Sequence, residues 1–433
     1  MSNSPRLATQ GATRGIFVAS IGNALEWFDF ATYGFFAATI AKVFFPIGNE
    51  FTSLMLTLAS FGVPFFMRPV GAIVIGRLAD RAGRKPAMTL TVALMLLGTL
   101  IIAATPSYQS IGLVAPILIF IARLIQGFSA GGEFGSATTF LAEQNPQRRG
   151  FFGSWQFASQ GISQAMSASA IWLITARFSP ADIQIWAWRI PFFFGLLIGP
   201  VGLWMRLSIS ETEEFVREVA AKREIHVAGK SSLLHGILTC SGLMIGMTAS
   251  SYVMVLFLPT FAIKQLNMPS AVAFASATLI GLCTLVVTPL SGALSDRIGA
   301  RRVIYLGMVP AALVIVPLFS LLVTYRSLGA LIACQMTIAV LMAVSAGGLA
   351  SLMADLFPTR NRTLGISVGY NLAVTIFGGL SPMIISAVVH VSKAEMAPCW
   401  YVLIAILVTI GTLTLSRRDL VSAGQQPFQP ADV

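Results

Sequence analysis

The chain has 433 residues, of which 56% are hydrophobic and only 10% charged, with a formal net charge of +11. Soluble domains carry about a quarter charged residues, so this composition excludes one and puts the chain in a bilayer. The positive charge does not imply a nucleic-acid partner, because it gathers in short loops between apolar runs, beside anionic lipid.

Runs long enough to cross about 30 Å of hydrocarbon recur twelve times. In chain order they are expected over residues 15–39, 52–79, 87–105, 112–141, 151–177 and 187–208, then 233–262, 271–294, 302–322, 328–353, 363–391 and 396–415. The fold class is therefore an all-α membrane protein with twelve transmembrane helices in two six-helix bundles, 15–208 and 233–415. Tails at 1–14 and 416–433 and a loop at 209–232 complete the chain. The first run is not a cleaved signal peptide, being too long and carrying Glu26 and Asp29 in its middle. The connection from Ser208 to Ser232 mixes five Glu with Arg and Lys and reads as an amphipathic cytoplasmic helix. After Arg418 the polar tail is expected to be disordered.

With the N-terminus inside, 20 of the 28 basic residues fall on the cytoplasmic side, which places both termini in the cytoplasm of a cell inner membrane. Cys240, Cys283, Cys334 and Cys399 lie in or beside apolar runs without metal-ligand spacing, so neither a disulfide nor a metal site is expected.

The two bundles repeat one another. Gly76-Arg77-Leu78-Ala79-Asp80-Arg81-Ala82-Gly83-Arg84-Lys85 recurs as Gly292-Ala293-Leu294-Ser295-Asp296-Arg297-Ile298-Gly299-Ala300-Arg301-Arg302, an offset of 216 residues. Gly131-Gly132 recurs as Gly347-Gly348 at the same offset, and Ala142-Glu143 as Ala354-Asp355 at 212. A duplication this long in an apolar chain suggests a transporter working between its halves. Each chain contains both halves, so a monomer is expected. The paired glycines themselves read as sites of close helix packing.

An ionisable residue at membrane depth is costly and marks function by default. Glu26 and Asp29 lie in helix 1, Arg68 in helix 2, and Arg123 and Glu133 in helix 4, whereas the second half has no deep charge. Glu26 and Asp29, three apart, suit a shared proton or a shared basic partner. Two arginines at one depth suit an anion cradle, because the guanidinium fork binds carboxylates in pairs. The bland alternative is that these charges only neutralise one another and hold helices together. Neutral polar groups accompany them: Gln156, Gln160 and Gln164 with Ser159, Ser163 and Ser167 stripe helix 5, Tyr370, Asn371 and Thr375 line helix 11, and Tyr252 and Gln335 are further candidates. Helices 3, 6, 9 and 12 lack deep charge and are expected to face lipid. Pro64 and Pro69 bracket Arg68 and favour a bend.

Gly76 to Pro86, with its weaker copy, resembles the loop signature of the major facilitator superfamily. Gly22-Asn23-Ala24-Leu25-Glu26-Trp27-Phe28-Asp29-Phe30, Arg68-Pro69-Val70-Gly71, Arg123-Leu124-Ile125-Gln126-Gly127 and Gly369-Tyr370-Asn371-Leu372 resemble its metabolite:proton symporters, closest to the citrate and tricarballylate branch. That resemblance implies the major facilitator fold and import of a small organic acid with protons as the coupling ion and no cofactor. Arg68, Arg123, Gln160, Gln164, Tyr370 and Asn371 are then the substrate ligands, Glu26, Asp29 and Glu133 the proton-coupling groups, and Asp80, Arg84 and Asp296 gating latches. Symporters of dicarboxylates, shikimate or proline and betaine are the alternatives within the family.

Two enzyme-like motifs do not hold. Gly365-Ile366-Ser367-Val368-Gly369 matches a serine-hydrolase elbow but lies inside an apolar helical run, and Gly229-Lys230-Ser231 lacks the earlier glycine of a phosphate loop. Midplane charges of both signs fit alternating access better than an open channel.

Overall fold

The computed structural model describes residues 20, 23–24, 26–46, 49–82, 84–145, 147–207, 230–357 and 359–416. The linker at 208–229, both tails and the side chains of Asp80 and Arg84 lie outside the described residues, and with them the amphipathic-helix and first-half latch expectations. All regular structure among the described residues is helical, as a bilayer demands of a chain that must satisfy its own backbone.

Twelve long helices follow in order. α1 covers residues 26–35 and Ala37–Phe44, α2 Glu50–Ala82, α3 Arg84–Ala104, α4 Val114–Ala130 with Glu133–Glu143, α5 Arg149–Arg177 and α6 Ile190–Leu207. In the second half, α7 runs through Lys230–Ser250, a π segment Ser251–Phe257, and Leu258–Lys264. Then come α8 Ser270–Ile298, α9 Ala300–Tyr325 and α10 Leu328–Asp355. α11 joins Thr359–Val374, a π segment Thr375–Gly379 and Ser381–Ser392, and α12 is Ala397–Leu415. By length and composition alone, eight helices among the described residues are apolar enough to cross a membrane, and Thr89–Ala104 and Ala187–Leu197 add shorter apolar stretches.

Several helices outrun their apolar stretch because nothing local stops them there. α8 continues through Asp296 and Arg297 until Gly299, whose φ of 94° a side chain would resist. The expected single helix over 112–141 is instead broken at Gly131–Gly132, and Pro64 and Pro69 lie within one continuous helix.

Small residues decide which helices touch. A Cβ on Gly71 would strike the Phe128 backbone, one on Gly127 the Pro64 backbone and one on Gly131 the Arg68 carbonyl, so α2 and α4 pack backbone to backbone. Across the halves α5 lies against α8: a Cβ on Gly161 would come within 2.8 Å of the Gly281 carbonyl oxygen, and one on Gly150 within 2.6 Å of that of Gly292. A Cβ on Gly347 would fall 2.5 Å from the backbone of Ser291 and Gly292, the packing role expected of the paired glycines.

The polar stripe of α5 divides between two neighbours. Asn23 Nδ2 donates to the Gln156 carbonyl at 2.9 Å and to Ser159 Oγ at 2.6 Å, Gln156 Nε2 donates to Asn23 Oδ1 at 3.1 Å, and Ser163 Oγ donates to the Ala24 carbonyl at 2.6 Å. These bonds fasten α1 to α5. Removing Asn23 with Asn23→Ala strands these partners, and thermal unfolding in detergent is expected to show a loss of about 1–2 kcal/mol.

The expectation that helices 3, 6, 9 and 12 alone face lipid needs correction. α2 exposes Phe66, Val70, Ile73 and Val74, and α8 exposes Leu279, Leu282, Val286 and Leu290. A helix at the bundle surface buries one stripe and shows another, so it does not sort wholly into one class. Conversely α3 sends Thr99 inward to Asp29.

Candidate transport site

A narrow cavity of ≈ 20 Å³ lies between the halves, little more than a single water molecule needs. Gln160 and Gln164 of α5 face it from the first half. From the second half come Ser250, Ser251 and Met254 around the α7 π segment, Thr284 of α8, and Gln335 and Met342 of α10. Gln335 braces this wall, donating to the Met254 carbonyl at 2.8 Å and accepting from Ser276 Oγ at 2.7 Å. The Gln160 Nε2, Ser250 Oγ and Tyr252 OH atoms are buried without a hydrogen-bond partner. Unsatisfied buried groups beside a cavity are poised for a ligand's polar atoms.

Beside this cavity sits a layer of buried charge. Arg68 Nη2 donates to Glu26 Oε1 at 3.1 Å, and the guanidinium lies 4.7 Å from the Phe65 ring centroid and 5.0 Å from that of Phe30. Arg123 is enclosed by Tyr33 at 4.3 Å and Phe30 at 4.6 Å, donates to Gln126 Oε1 at 2.9 Å and reaches the Phe61 carbonyl at 3.4 Å. Tyr370 lies beside Arg68 and Gln160, and its ring stacks on Phe134 with centroids 3.3 Å apart. Asn371 Nδ2 donates to the Gly131 carbonyl at 3.3 Å, at the break in α4, and its Oδ1 has no partner.

Glu26 and Asp29 do not share a basic partner, which corrects the expectation from their spacing. Three residues turn a helix by about 300°, so the two carboxylates diverge enough to meet different neighbours. Glu26 pairs with Arg68 of α2, while Asp29 accepts hydrogen bonds from Thr99 of α3 and, at 3.5 Å, Gln126 of α4. Glu133 begins the second segment of α4 and is half-buried, away from this layer. Of the six expected ligands, Gln160 and Gln164 line the cavity; Arg68 and Tyr370 border Gln160; Arg123 and Asn371 are buried behind this surface.

Contacts between the halves bridge both faces of the molecule around the cavity. On the face that carries the repeated loops, Asp296 accepts the backbone N–H groups of Gly150 at 2.6 Å and Phe151 at 3.0 Å, at the start of α5. Arg149 pairs with Asp355 at 3.2 Å and Arg362 with Glu143 at 2.5 Å. On the opposite face Lys264 pairs with Glu50 at 3.1 Å, and His390 stacks on Phe51 at 3.7 Å. Every one of these contacts joins the first half to the second, so opening either side means parting them.

Residues 19–382 and 277–428 match the Major Facilitator Superfamily, together nearly the whole chain. The chain belongs to that superfamily. Within the superfamily it is 36% identical to the citrate-proton symporter of Klebsiella pneumoniae over 96% of this chain and 95% of that one. It is 34% identical to the proline/betaine transporter of Escherichia coli strain K12, covering 92% and 82%, and 34% identical to the alpha-ketoglutarate permease of the same strain, covering 92% and 93%. The xylose transporter XylE from E. coli, in a partially occluded inward open conformation, superposes with a TM-score of 0.72 at 16% identity, over 94% of this chain and 97% of that one. The major facilitator fold, with twelve spans in two halves, is thus the architecture of this multi-pass membrane protein, which is a transporter and not an enzyme. Its elbow-like Gly365–Gly369 lies inside α11, where no strand precedes the serine.

Two polar residues of this superfamily member escaped the sequence reading. Thr99 is not singled out there, and Gln126 stands only within the Arg123–Gly127 motif with no role of its own. Only their proximity to Asp29 and Arg123 gives them weight. Gln126 follows Arg123 by three residues on one helix, a spacing that could have flagged it.

Proposed function

We propose that the protein imports a small polycarboxylate, citrate or tricarballylate, together with protons, by alternating access between halves 15–208 and 233–415. It would act as a monomer in a cell inner membrane with both termini in the cytoplasm. The observation that carries this reading is the buried Glu26–Arg68 pair beside a cavity between the halves. Arg68 is occupied by an internal carboxylate, and a substrate carboxylate that takes its place leaves the buried Glu26 carboxylate without the Arg68 cation. An unpaired buried charge is costly, and a proton removes it. Substrate binding at Arg68 and proton uptake at Glu26 therefore favour each other, which is the condition for symport. Arg123 would supply a second cation to a further carboxylate, with Gln160, Gln164, Tyr370 and Asn371 as neutral partners; Glu26, Asp29 and Glu133 form the coupling set.

Protons answer an energetic need. Moving a trianion into a negative interior costs about 2.3 kcal/mol per charge per 100 mV, or about 7 kcal/mol in all, which three protons would cancel. The relatives named above also include transporters named for proline and betaine, so the substrate has to be tested directly. Labelled citrate and tricarballylate should enter proteoliposomes under an imposed pH gradient and stop entering when an uncoupler is added. Uptake of dicarboxylate or betaine alone would retain the symporter and move its substrate; uptake indifferent to the uncoupler would overturn proton coupling.

A further inference from the structure

Asp29 does not line the cavity. Its carboxylate is directed into the first half, where Oδ2 accepts from Thr99 Oγ1 and, at 3.5 Å, from Gln126 Nε2. Oδ1 has no hydrogen-bond partner and faces α6, where a Cβ on Gly195 would come within 2.8 Å of it. A proton bound there therefore has no direct bond to any substrate ligand. Gln126 supplies the connection. Its Nε2 donates to Thr99 Oγ1 at 3.1 Å as well as to Asp29, and its Oε1 accepts from Arg123 Nη1 at 2.9 Å. Gly98 leaves the room this side chain occupies, since a Cβ there would fall 2.5 Å from Gln126 Cγ.

A primary amide has a donor end and an acceptor end, whereas a carboxylate only accepts and a guanidinium only donates. Ionised Asp29 thus selects the orientation that turns Nε2 towards it, which leaves Oε1 to hold Arg123. A proton added to the Asp29 carboxyl settles on Oδ2, the oxygen with acceptors in reach, and makes that atom a donor. Thr99 Oγ1 can accept from it by turning its own hydrogen to the Met95 carbonyl, 3.0 Å away. The amide, having lost its acceptor at Oδ2, can meet it only through Oε1, and turning the amide about its terminal bond swings Nε2 against Arg123. Two donors face each other, and the Arg123–Gln126 bond is lost.

We infer that Gln126 is the positioning residue that passes the protonation state of Asp29 to Arg123 by reversing its amide, freeing the guanidinium for a substrate carboxylate when the proton is aboard. The inference rests on the proton-coupled reading above and adds the route by which a proton remote from the cavity alters a substrate ligand. Among the described residues, the charged group facing Asp29 from a neighbouring helix is Arg123 of α4. Glu26, on Asp29's own helix, is engaged with Arg68 of α2, and α3 and α6 present uncharged Thr99 and Gly195. The same proton leaves Arg123 unbalanced by Asp29, which adds to its pull on an anion.

Acid-minus-neutral infrared difference spectra of the full-length protein in lipid nanodiscs test this without a substrate. Wild type should show a carboxylic acid band that Asp29→Asn removes, together with a side-chain amide shift that both Asp29→Asn and Gln126→Leu remove. In proteoliposomes the pH dependence of labelled citrate uptake, about tenfold in wild type, should shrink in Gln126→Leu to the part that Glu26 supplies. The near-isosteric Gln126→Glu, which accepts at both ends and keeps Arg123 tied, should lower uptake at every pH. An amide shift that survives in Gln126→Leu, or wild-type pH dependence in that variant, overturns the relay while leaving symport intact. A carboxylic acid region identical in wild type and Asp29→Asn removes Asp29 as the proton site, and with it this part of the coupling scheme. If citrate is not carried, the infrared result decides alone.

Discussion

Arg68→Ala is expected to abolish net uptake and also to destabilise the protein, because Glu26 is left as a buried carboxylate without its cation. Breaking a buried pair from one side costs about 3–5 kcal/mol, which a thermal unfolding scan in detergent would register. That loss alone cannot tell a ligand from a strut. The double variant Glu26→Gln with Arg68→Gln separates them, since it removes both charges and leaves an amide pair of similar size. Stability should largely return and uptake should not. Full transport by the double variant would mean that the pair serves only to hold α1 against α2, and the cradle assignment would fall. Glu26→Gln alone keeps Arg68 for the substrate but removes the titrating group. Gradient-driven accumulation should disappear while exchange of internal for external substrate persists; accumulation equal to wild type would remove Glu26 from the proton path.

Asp296→Ala should shift the balance between the two faces. Asp296 binds two backbone N–H groups at the start of α5 across the junction of the halves, and its charge also suits the positive end of that helix. Hydrogen bonds to a charged group contribute about 1.5–3 kcal/mol each, so losing both contacts should open this face by a factor on the order of 100 or more. A cysteine placed at Thr284, which lines the cavity, reports the change through its labelling by an impermeant maleimide from the Asp296 side, in a background lacking the four native cysteines. Labelling should rise strongly in Asp296→Ala and modestly in Asp296→Asn, which keeps one acceptor. Unchanged labelling would mean that Arg149–Asp355 and Arg362–Glu143 close the face without it.

The twelve spans, the duplicated halves and the short inventory of buried charge were legible in the amino-acid sequence by itself. The bilayer imposes its constraints locally: a crossing helix needs about twenty apolar residues in succession, and any charge within one stands out against them. The repeat of Asp80 as Asp296 likewise survives as a string of residues, although only the second copy's contacts are described. Gln160 and Gln164 could be recognised because helical spacing sets them on one stripe, and they do line the cavity.

Tertiary structure decided the partners. Gln156 and Ser159 belong to the same polar run as Gln160 and Gln164, yet they are spent, with Asn23, on fastening α1 to α5. Glu26 and Asp29 look like a pair on paper and answer to different helices. The π segment of α7 follows from helix-to-helix contacts, whereas the break at Gly131–Gly132 and the α11 π segment at Gly378–Gly379 fall on glycine pairs that weaken a helix locally. Periodicity along one helix says which residues share a face. Which neighbour that face meets depends on backbone approach set by glycines on other helices, and a buried polar group takes its meaning from that neighbour.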